Sequence, residues 1–339
     1  MTFQTNLARV RCLLGYPNRA CRFAPHPAKL SAALSGCAFV TPKAGRANAS
    51  GRGSKLYGMI VEKCFKSTDG TRRYLLRLHD DELIESVLIP RQDRVTLCIS
   101  SQAGCGLGCT FCLTGQLGFI RDLSADEIIS QVLLMLNEEP ASRFSVVFMG
   151  MGEPLQNYDN VLDAIRFIHD DHGLKTPMSR ITLSTAGLVP GIERLAAEQL
   201  FPNLSISLTG ITNPIRDVLM PINRKYPIKA LIDTVRNLPP SRQKRVMFEC
   251  VMIKGLTDSI EDASRLSEML HGMRVKVNLI PLNPAAEIPY ERTDDDTILR
   301  FQEVLVRNGT ATFIRKNRGN DVSSACGQLK QKVFAGNIS

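Results

Sequence analysis

From Val95 onward, apolar runs of strand length alternate with amphipathic segments of helix length, a rhythm that few folds accept. The strand-like runs lie near 95–100, 144–150, 180–186, 203–209, 245–253 and 274–282. The helix-like segments lie near 124–138, 158–172, 191–200, 228–238, 259–272 and 295–309. Repeated strand–helix units pack as a parallel sheet with helices against it. Six such units predict an α/β fold whose sheet curls into a partial (βα)6, TIM-like barrel, with its site on the loops at the carboxyl ends of the strands. The nearly unbroken apolar run Phe144-Ser145-Val146-Val147-Phe148 predicts a sheet covered on both faces. Ser124 and Glu127 form a capping box ahead of Ile128, and Gly309 stops the last helix.

The flanks divide by composition. Residues 1–54 read as a leader, 55–94 as a small strand-rich lead-in with a hairpin turn at Asp69-Gly70, and 95–317 as the barrel core. Thr310–Arg315 reads as one more strand, and 318–339 as a C-terminal loop and tail. Residues 1–61 hold nine Lys or Arg and no acid. Removing those nine from the 42 basic residues leaves 33 against 33 acidic, so the net charge of +9 belongs to the leader rather than to a nucleic-acid face. Acid-free, Arg-rich and containing Ser and Pro, the leader predicts an organelle transit peptide, plastid in preference to mitochondrion. A disordered basic tail before a cytoplasmic protein is the alternative. No run of eighteen apolar residues suits a membrane span. Nothing points to oligomerisation, so a monomer is expected.

Ten cysteines without an apolar secretory signal point away from a disulfide framework. Three are clustered, in Cys105-Gly-Leu-Gly-Cys109-Thr-Phe-Cys112, directly after the first barrel strand. Three thiolates at this spacing can hold three irons of a [4Fe-4S] cluster, leaving the fourth iron open to chelate the amino and carboxylate groups of S-adenosylmethionine (SAM). A zinc site would need a fourth ligand, and no second cysteine pair or histidine lies nearby. The alternative of three unrelated core cysteines sits badly with a Gly-rich loop. In the next unit, Gly150-Met-Gly-Glu153-Pro154 could bring a backbone and a carboxylate against the SAM ammonium. Taken alone it could equally be a turn between strand and helix.

These motifs, with Cys98-Ile-Ser-Ser-Gln-Ala-Gly-Cys105, Gly150-Met-Gly-Glu-Pro-Leu-Gln-Asn157, Leu183-Ser-Thr-Ala-Gly187, Met220-Pro-Ile-Asn-Arg-Lys-Tyr226, Asn278-Leu-Ile-Pro-Leu-Asn283 and Ala325-Cys-Gly-Gln-Leu329, resemble the RlmN/Cfr family of radical SAM RNA methyltransferases. The resemblance runs from about Gly58 to Lys332. It implies methylation of carbon 2 of an adenosine in large-subunit ribosomal RNA, with transfer RNA as a second candidate substrate. Two SAM molecules serve each turnover: one methylates Cys326, and the other yields the radical that activates that methyl group. Cys98 then forms a transient disulfide with Cys326 as the product leaves. The resemblance also implies Glu85 as proton acceptor, SAM contacts at Gly152, Glu153, Ser184, Ser207, Leu208, Thr209 and Asn283, and an electron donor such as ferredoxin or flavodoxin.

Each implied role has a plainer alternative. Glu85 lies in an alternating strand and could face solvent; Cys98 could be a core residue and Cys326 a stray thiol; the strand-end polar residues could cap helices. The chain departs from the family at Ser207-Leu208-Thr209, where relatives have Ser-Leu-His, and in holding only the leader where relatives have helices before the strand-rich segment. Outside this family, an activase that makes a glycyl radical on a partner would need the triad but neither Cys98 nor Cys326. An RNA- or ribosome-binding protein that no longer methylates could keep the fold alone. Among the basic clusters Arg224-Lys225, Arg242 to Arg245 and Arg315-Lys316-Asn317-Arg318, the last is the best candidate for guiding RNA.

Overall fold

A computed structural model describes residues 55–56, 58–316, 318–322 and 327–329. The leader 1–54 and Cys326 lie outside the described residues. The six units are present. Strands β1 (Lys55–Leu56), β2 (Met59–Lys66), β3 (Arg72–Arg77), β4 (Leu83–Pro90) and β5 (Val95–Cys98) pair antiparallel in sequence. A short ribbon of β6 (Gln102–Cys105) and β7 (Gly118–Asp122) stands apart as a second sheet. Then β8 (Phe144–Phe148), β9 (Ile181–Thr185), β10 (Asn203–Ser207), β11 (Val246–Met252), β12 (Lys276–Pro281) and β13 (Ala311–Ile314) continue from β5, all parallel. The order β1-β2-β3-β4-β5-β8-β9-β10-β11-β12-β13 has β1 and β13 as edges, so the parallel part is an open, partial barrel.

The helices are α1 (Ala125–Glu138), α2 (Tyr158–His169), α3 (Val189–Ala197), α4 (Asn213–Leu219), α5 (Ile228–Arg236), α6 (Ile260–Leu270) and α7 (Asp295–Arg307). The capping box forms as expected: Ser124 accepts from the Glu127 N–H, and Glu127 accepts from the Ser124 N–H. At the Asp69-Gly70 turn the Gly70 N–H donates to Ser67 O at 3.1 Å, and a φ of +84° there suits glycine.

Two expectations need revision. Burial alternates along β8, with Phe144, Val146 and Phe148 buried and Ser145 and Val147 half-buried. The sheet is therefore not covered equally on both faces; its concave face opens on a cavity. The boundary at 94/95 also falls in the turn of the β4–β5 hairpin, where Val87 pairs with Cys98. Lead-in and barrel form one sheet over one continuous apolar core, running from Met59 to Leu329.

The sequence pattern did not reveal the ribbon or α4, and both shape the site. Asn157 ties the ribbon to the sheet: its Nδ2 donates to Ser101 O (2.8 Å) and Leu123 O (2.7 Å), on either side of β6–β7. Asn157→Ala strands the buried Leu123 carbonyl and is expected to cost about 1–3 kcal/mol in denaturant unfolding. A loss under 0.5 kcal/mol, a bound set roughly by the noise of surface substitutions, would mean the tie is idle.

Candidate active site

The cysteine loop depends on glycines that no other residue can replace. Gly104 has φ +74°, and a Cβ there would lie 2.0 Å from Gly118 O, so the ribbon can close only on a bare Cα. Cys105 ends β6 and is itself part of a strand, not of a loop as the sequence suggested. Cys109 and Cys112 follow through Gly108 at φ +65°, and the Cys112 N–H donates to Cys109 O at 3.2 Å. A Cβ on Gly115 would sit 3.0 Å from Cys109 N and O, so the helical turn Leu113–Gln116 packs directly on the loop.

The three thiols share one electrostatic environment. Burial first, then a backbone hydrogen bond that partly offsets it and the charges of Cys112 and Glu153, leave the Cys105 thiol pushed up to about 11. Burial also pushes the Cys109 thiol well up, and Cys112 and Cys105 add to the effect. Mutual repulsion among thiolates is what a polycationic iron core removes, so this donor set fits a cluster held by Cys105, Cys109 and Cys112. Among the described residues no three His, Cys, Asp or Glu converge as a single metal ion would require.

Gly150 and Gly152 let the end of β8 press onto the start of the ribbon. A Cβ on Gly150 would lie 2.7 Å from Ile99 O, and one on Gly152, at φ +101°, 2.6 Å from the Gln102 Cβ. This close approach lets the Glu153 N–H donate to Gln102 Oε1 at 2.8 Å. The Glu153 carboxylate is buried, with Oε1 accepting from the Leu155 N–H (3.0 Å) and Oε2 from the Ala186 N–H (2.7 Å). Burial raises its pKa, against the hydrogen bonds from Ala186, Thr185 and Leu155. An ammonium group would complete the coordination of such a carboxylate and restore its charge.

Gly152, Glu153, Ser184, Ser207 and Asn283 line one cavity together with Cys105, Cys109 and Cys112. Leu208 and Thr209 do not line it. Both are fully buried, their N–H groups turned to Glu249 O, and Thr209 takes a left-handed backbone at φ +54°. The Thr209 hydroxyl is buried without a hydrogen-bond partner, so it does not stand in for an imidazole in the cavity.

Cys98 is buried at the end of β5, opposite Val87 and Val147 and away from the cavity lining. Glu85 does not face solvent: it is 1% exposed and ion-paired with Arg73, whose Nε also donates to Val322 O at 2.8 Å. Cys326 lies outside the described residues, but its neighbour Gly327 lines the cavity and accepts from the Leu113 N–H at 2.8 Å. The Thr114 hydroxyl donates to Leu329 O at 2.8 Å.

Two charged residues of the site, Glu249 and Arg216, escaped the sequence reading. Glu249 lines the cavity, accepting from the Ser205 hydroxyl at 2.8 Å with Arg315 at 3.8 Å. Arg216, on α4, is fully buried behind the cavity. A proline at the start of α4 was the available signal for that helix. The basic clusters separate by use: Arg242 and Arg245 donate to carbonyls of Ala196, Glu198 and Phe201, Arg315 faces Glu249, and Arg224 and Lys225 are exposed.

A partial barrel with a three-cysteine ribbon after its first parallel strand defines the radical SAM class, and residues 99–266 match the radical SAM superfamily. A relative from Syntrophobacter fumaroxidans, the dual-specificity RNA methyltransferase RlmN, is 46% identical over 280 residues, covering 82% of this chain and 81% of its own. The protein of the same name from Syntrophotalea carbinolica is 44% identical over 281 residues, covering 83% and 75%. A radical SAM methyltransferase from Sphaerobacter thermophilus superposes with a TM-score of 0.78 at 40% identity, covering 81% of this chain and 82% of its own. The chain belongs to the RlmN family of radical SAM methyltransferases.

Glu153→Gln removes the anion but keeps the side-chain shape. It is expected to weaken SAM binding about tenfold to a hundredfold, the worth of a charge-assisted hydrogen bond. Calorimetric titration of the reconstituted protein measures this, and unchanged affinity would remove Glu153 from the SAM site.

Proposed function

We propose that this chain forms 2-methyladenosine in RNA through a methyl group carried on Cys326. The observation that carries the reading is the single cavity lined by the three cluster cysteines, by Glu153, Ser184, Ser207 and Asn283, and by Gly327, the residue bonded to Cys326. Carbon 2 of adenine lies between two ring nitrogens and is too electron-poor to attack a methyl sulfonium, so polar methyl transfer is closed to it. The names of the relatives, dual-specificity RNA methyltransferases, support RNA as the substrate; ribosomal RNA, with transfer RNA as the second, is the reading we adopt.

In this reading Cys326 takes its methyl group from a first SAM by displacement. A cluster held by Cys105, Cys109 and Cys112 would supply the one electron that splits a second SAM, whose 5′-deoxyadenosyl radical would take a hydrogen from that methyl group. The methylene carbon on Cys326 then joins carbon 2 of the adenine. The ring radical so formed gives its odd electron back to the donor that began the turnover and its carbon 2 proton to Glu85, with Arg73 holding the Glu85 carboxylate in place. The Cys98 thiolate attacks the Cys326 sulfur, the carbon–sulfur bond breaks, and the departing methylene carbon takes up a proton to become the methyl group, leaving a disulfide for an external thiol to reduce. Ferredoxin or flavodoxin is the class of electron donor such a cluster uses. The target adenine must leave its stack to enter the cavity, and the exposed Arg224 and Lys225 follow the cavity residue Met220 closely enough to meet the RNA backbone.

Reconstituted protein given methyl-labelled SAM and ribosomal RNA should place label on Cys326 and then on carbon 2 of adenosine. Cys326→Ala should show neither, and Cys98→Ala should accumulate RNA bound covalently to protein. Label at a ring nitrogen or a ribose would sink this reading.

The acid-free composition of residues 1–54 supports delivery to an organelle, a plastid in preference to a mitochondrion. Those residues fused to a fluorescent protein should direct it there, and diffuse cytosolic fluorescence would count against import.

A further inference from the structure

Arg216 is fully exposed to the cost of burying a charge. It is the largest completely buried side chain, at 0% exposure. Its Nε donates to Leu208 O (3.0 Å), its Nη1 to Asn223 Oδ1 (3.1 Å) and its Nη2 to Ala186 O (2.7 Å) and Ser207 O (3.2 Å). All four acceptors are neutral oxygens, which satisfy most of the fork's donors without balancing its charge. The carboxylate beside it, Asp217, is half-buried and already accepts from the Asn223 Nδ2 at 2.6 Å, so the buried cation calls for a further anion.

The surroundings are shaped to keep the guanidinium there. A Cβ on Gly187 would lie 3.2 Å from Arg216 Nη2, and one on Gly210 would lie 2.7 Å from Arg216 N and 2.8 Å from its Cα. Gly187 thus leaves room for the guanidinium, and Gly210 for the backbone of the helix that carries it. The helix that carries it is bound to the cluster loop, with the Thr110 N–H donating to Leu219 O at 3.0 Å. Cys109 packs against a small apolar cluster that includes Leu219 and Met220, with Ile215 beside it. Two of the Arg216 acceptors, the carbonyls of Ala186 and Ser207, belong to residues that line the same cavity as Cys105, Cys109 and Cys112.

The missing anion is then the cluster itself, because an iron–sulfur core held by three thiolates is net negative and becomes more so on reduction. We propose that Arg216 is the buried counter-charge of the cluster, a positioning residue that raises its reduction potential and so eases the electron's entry. The inference rests on the reading that Cys105, Cys109 and Cys112 hold a [4Fe-4S] cluster. Net charge near a cluster and its exclusion from solvent are established levers on its potential. A purely structural role, tying the ends of β9 and β10 through Ala186 and Ser207, would leave the potential alone.

Spectroelectrochemical titration of the anaerobically reconstituted full chain separates the two. R216M should shift the one-electron equilibrium about tenfold toward the oxidised cluster, a potential lower by about 59 mV. R216K, which keeps the charge and loses the fork, should recover most of that shift. D217N removes a carboxylate from beside the guanidinium and should move the potential the other way. R216M with full iron and sulfide content and the wild-type potential would overturn the proposal, as would equal lowering in R216M and R216K. Should R216M not fold, D217N decides: a raised potential supports the proposal, and an unchanged or lowered one overturns it. Wild-type protein that takes up no cluster would overturn the underlying reading as well, whereas an intact wild-type cluster whose potential ignores all three substitutions overturns this inference alone.

Discussion

The end of β8 lies against the end of β5 at a distance that only glycine permits, and the rest of the site hangs from that contact. Backbone bonds lock it on both sides: Ile99 N–H to Val147 O at 3.0 Å, Gly150 N–H to Ile99 O at 3.0 Å and Ser101 N–H to Met151 O at 2.8 Å. The chain leaving β5 becomes the cysteine ribbon, and the chain leaving β8 becomes the Glu153 turn. Their separation is thus fixed by main-chain geometry rather than by flexible side chains. Cofactor chemistry needs this: a cluster and a substrate chelated to its open iron tolerate little error in relative position.

From that contact, charge alternates through the strand ends. Glu153 accepts from the Ala186 N–H while Arg216 donates to the Ala186 carbonyl, so the two peptide units flanking one residue are held by a buried anion and a buried cation. Such groups are expensive in an empty cavity and are repaid when a ligand brings the complementary charge. Glu153 suits an ammonium and Arg216 an anionic cluster. The apolar core supports the fold, and this polar layer supports the occupied site.

What the sequence displayed follows from period and length. The barrel strands and helices were legible because their apolar residues repeat at intervals of two and between three and four. Ser184, Ser207 and Asn283 were legible only through resemblance, since a polar residue ending a strand looks like any helix cap. The ribbon was not legible: Gln102–Cys105 is four residues long, mostly small or polar and buried throughout, and Phe119 and Ile120 on its partner strand are exposed, so neither strand shows the alternation of buried apolar and exposed polar residues that marks a strand. Glu85 and Arg216 were hidden by the rule that charge belongs in water. Each is buried because folding brings partners to it, Arg73 from the neighbouring strand in one case and strand-end carbonyls in the other, and no periodic pattern announces those pairings.

The strand-rich lead-in gains a purpose from its contacts with the C-terminal segment. The Ser67 hydroxyl donates to Asp321 at 2.6 Å, the Thr68 N–H to the same carboxylate at 3.0 Å, and the Gly319 N–H to Asp69 at 3.1 Å. Burial works against the Asp69 charge, yet hydrogen bonds from Thr71, Ser67 and Gly319 outweigh it and hold the carboxyl down to about 2. Because that pKa is depressed, the Gly319–Asp69 contact keeps its charged acceptor at every pH above about 4 and loses it only as pH falls through about 2; the Asp321 carboxyl is likewise held below its usual range by the Ser67 hydroxyl and the Thr68 N–H. Beyond Cys326 in the sequence, Gly327 and Leu329 are hydrogen-bonded to Leu113 and Thr114 beside the cluster loop. The hairpin turn thus holds Gly319 and Asp321, and the cluster loop holds Gly327 and Leu329, so the described residues on either side of Cys326 are each anchored to a different part of the fold.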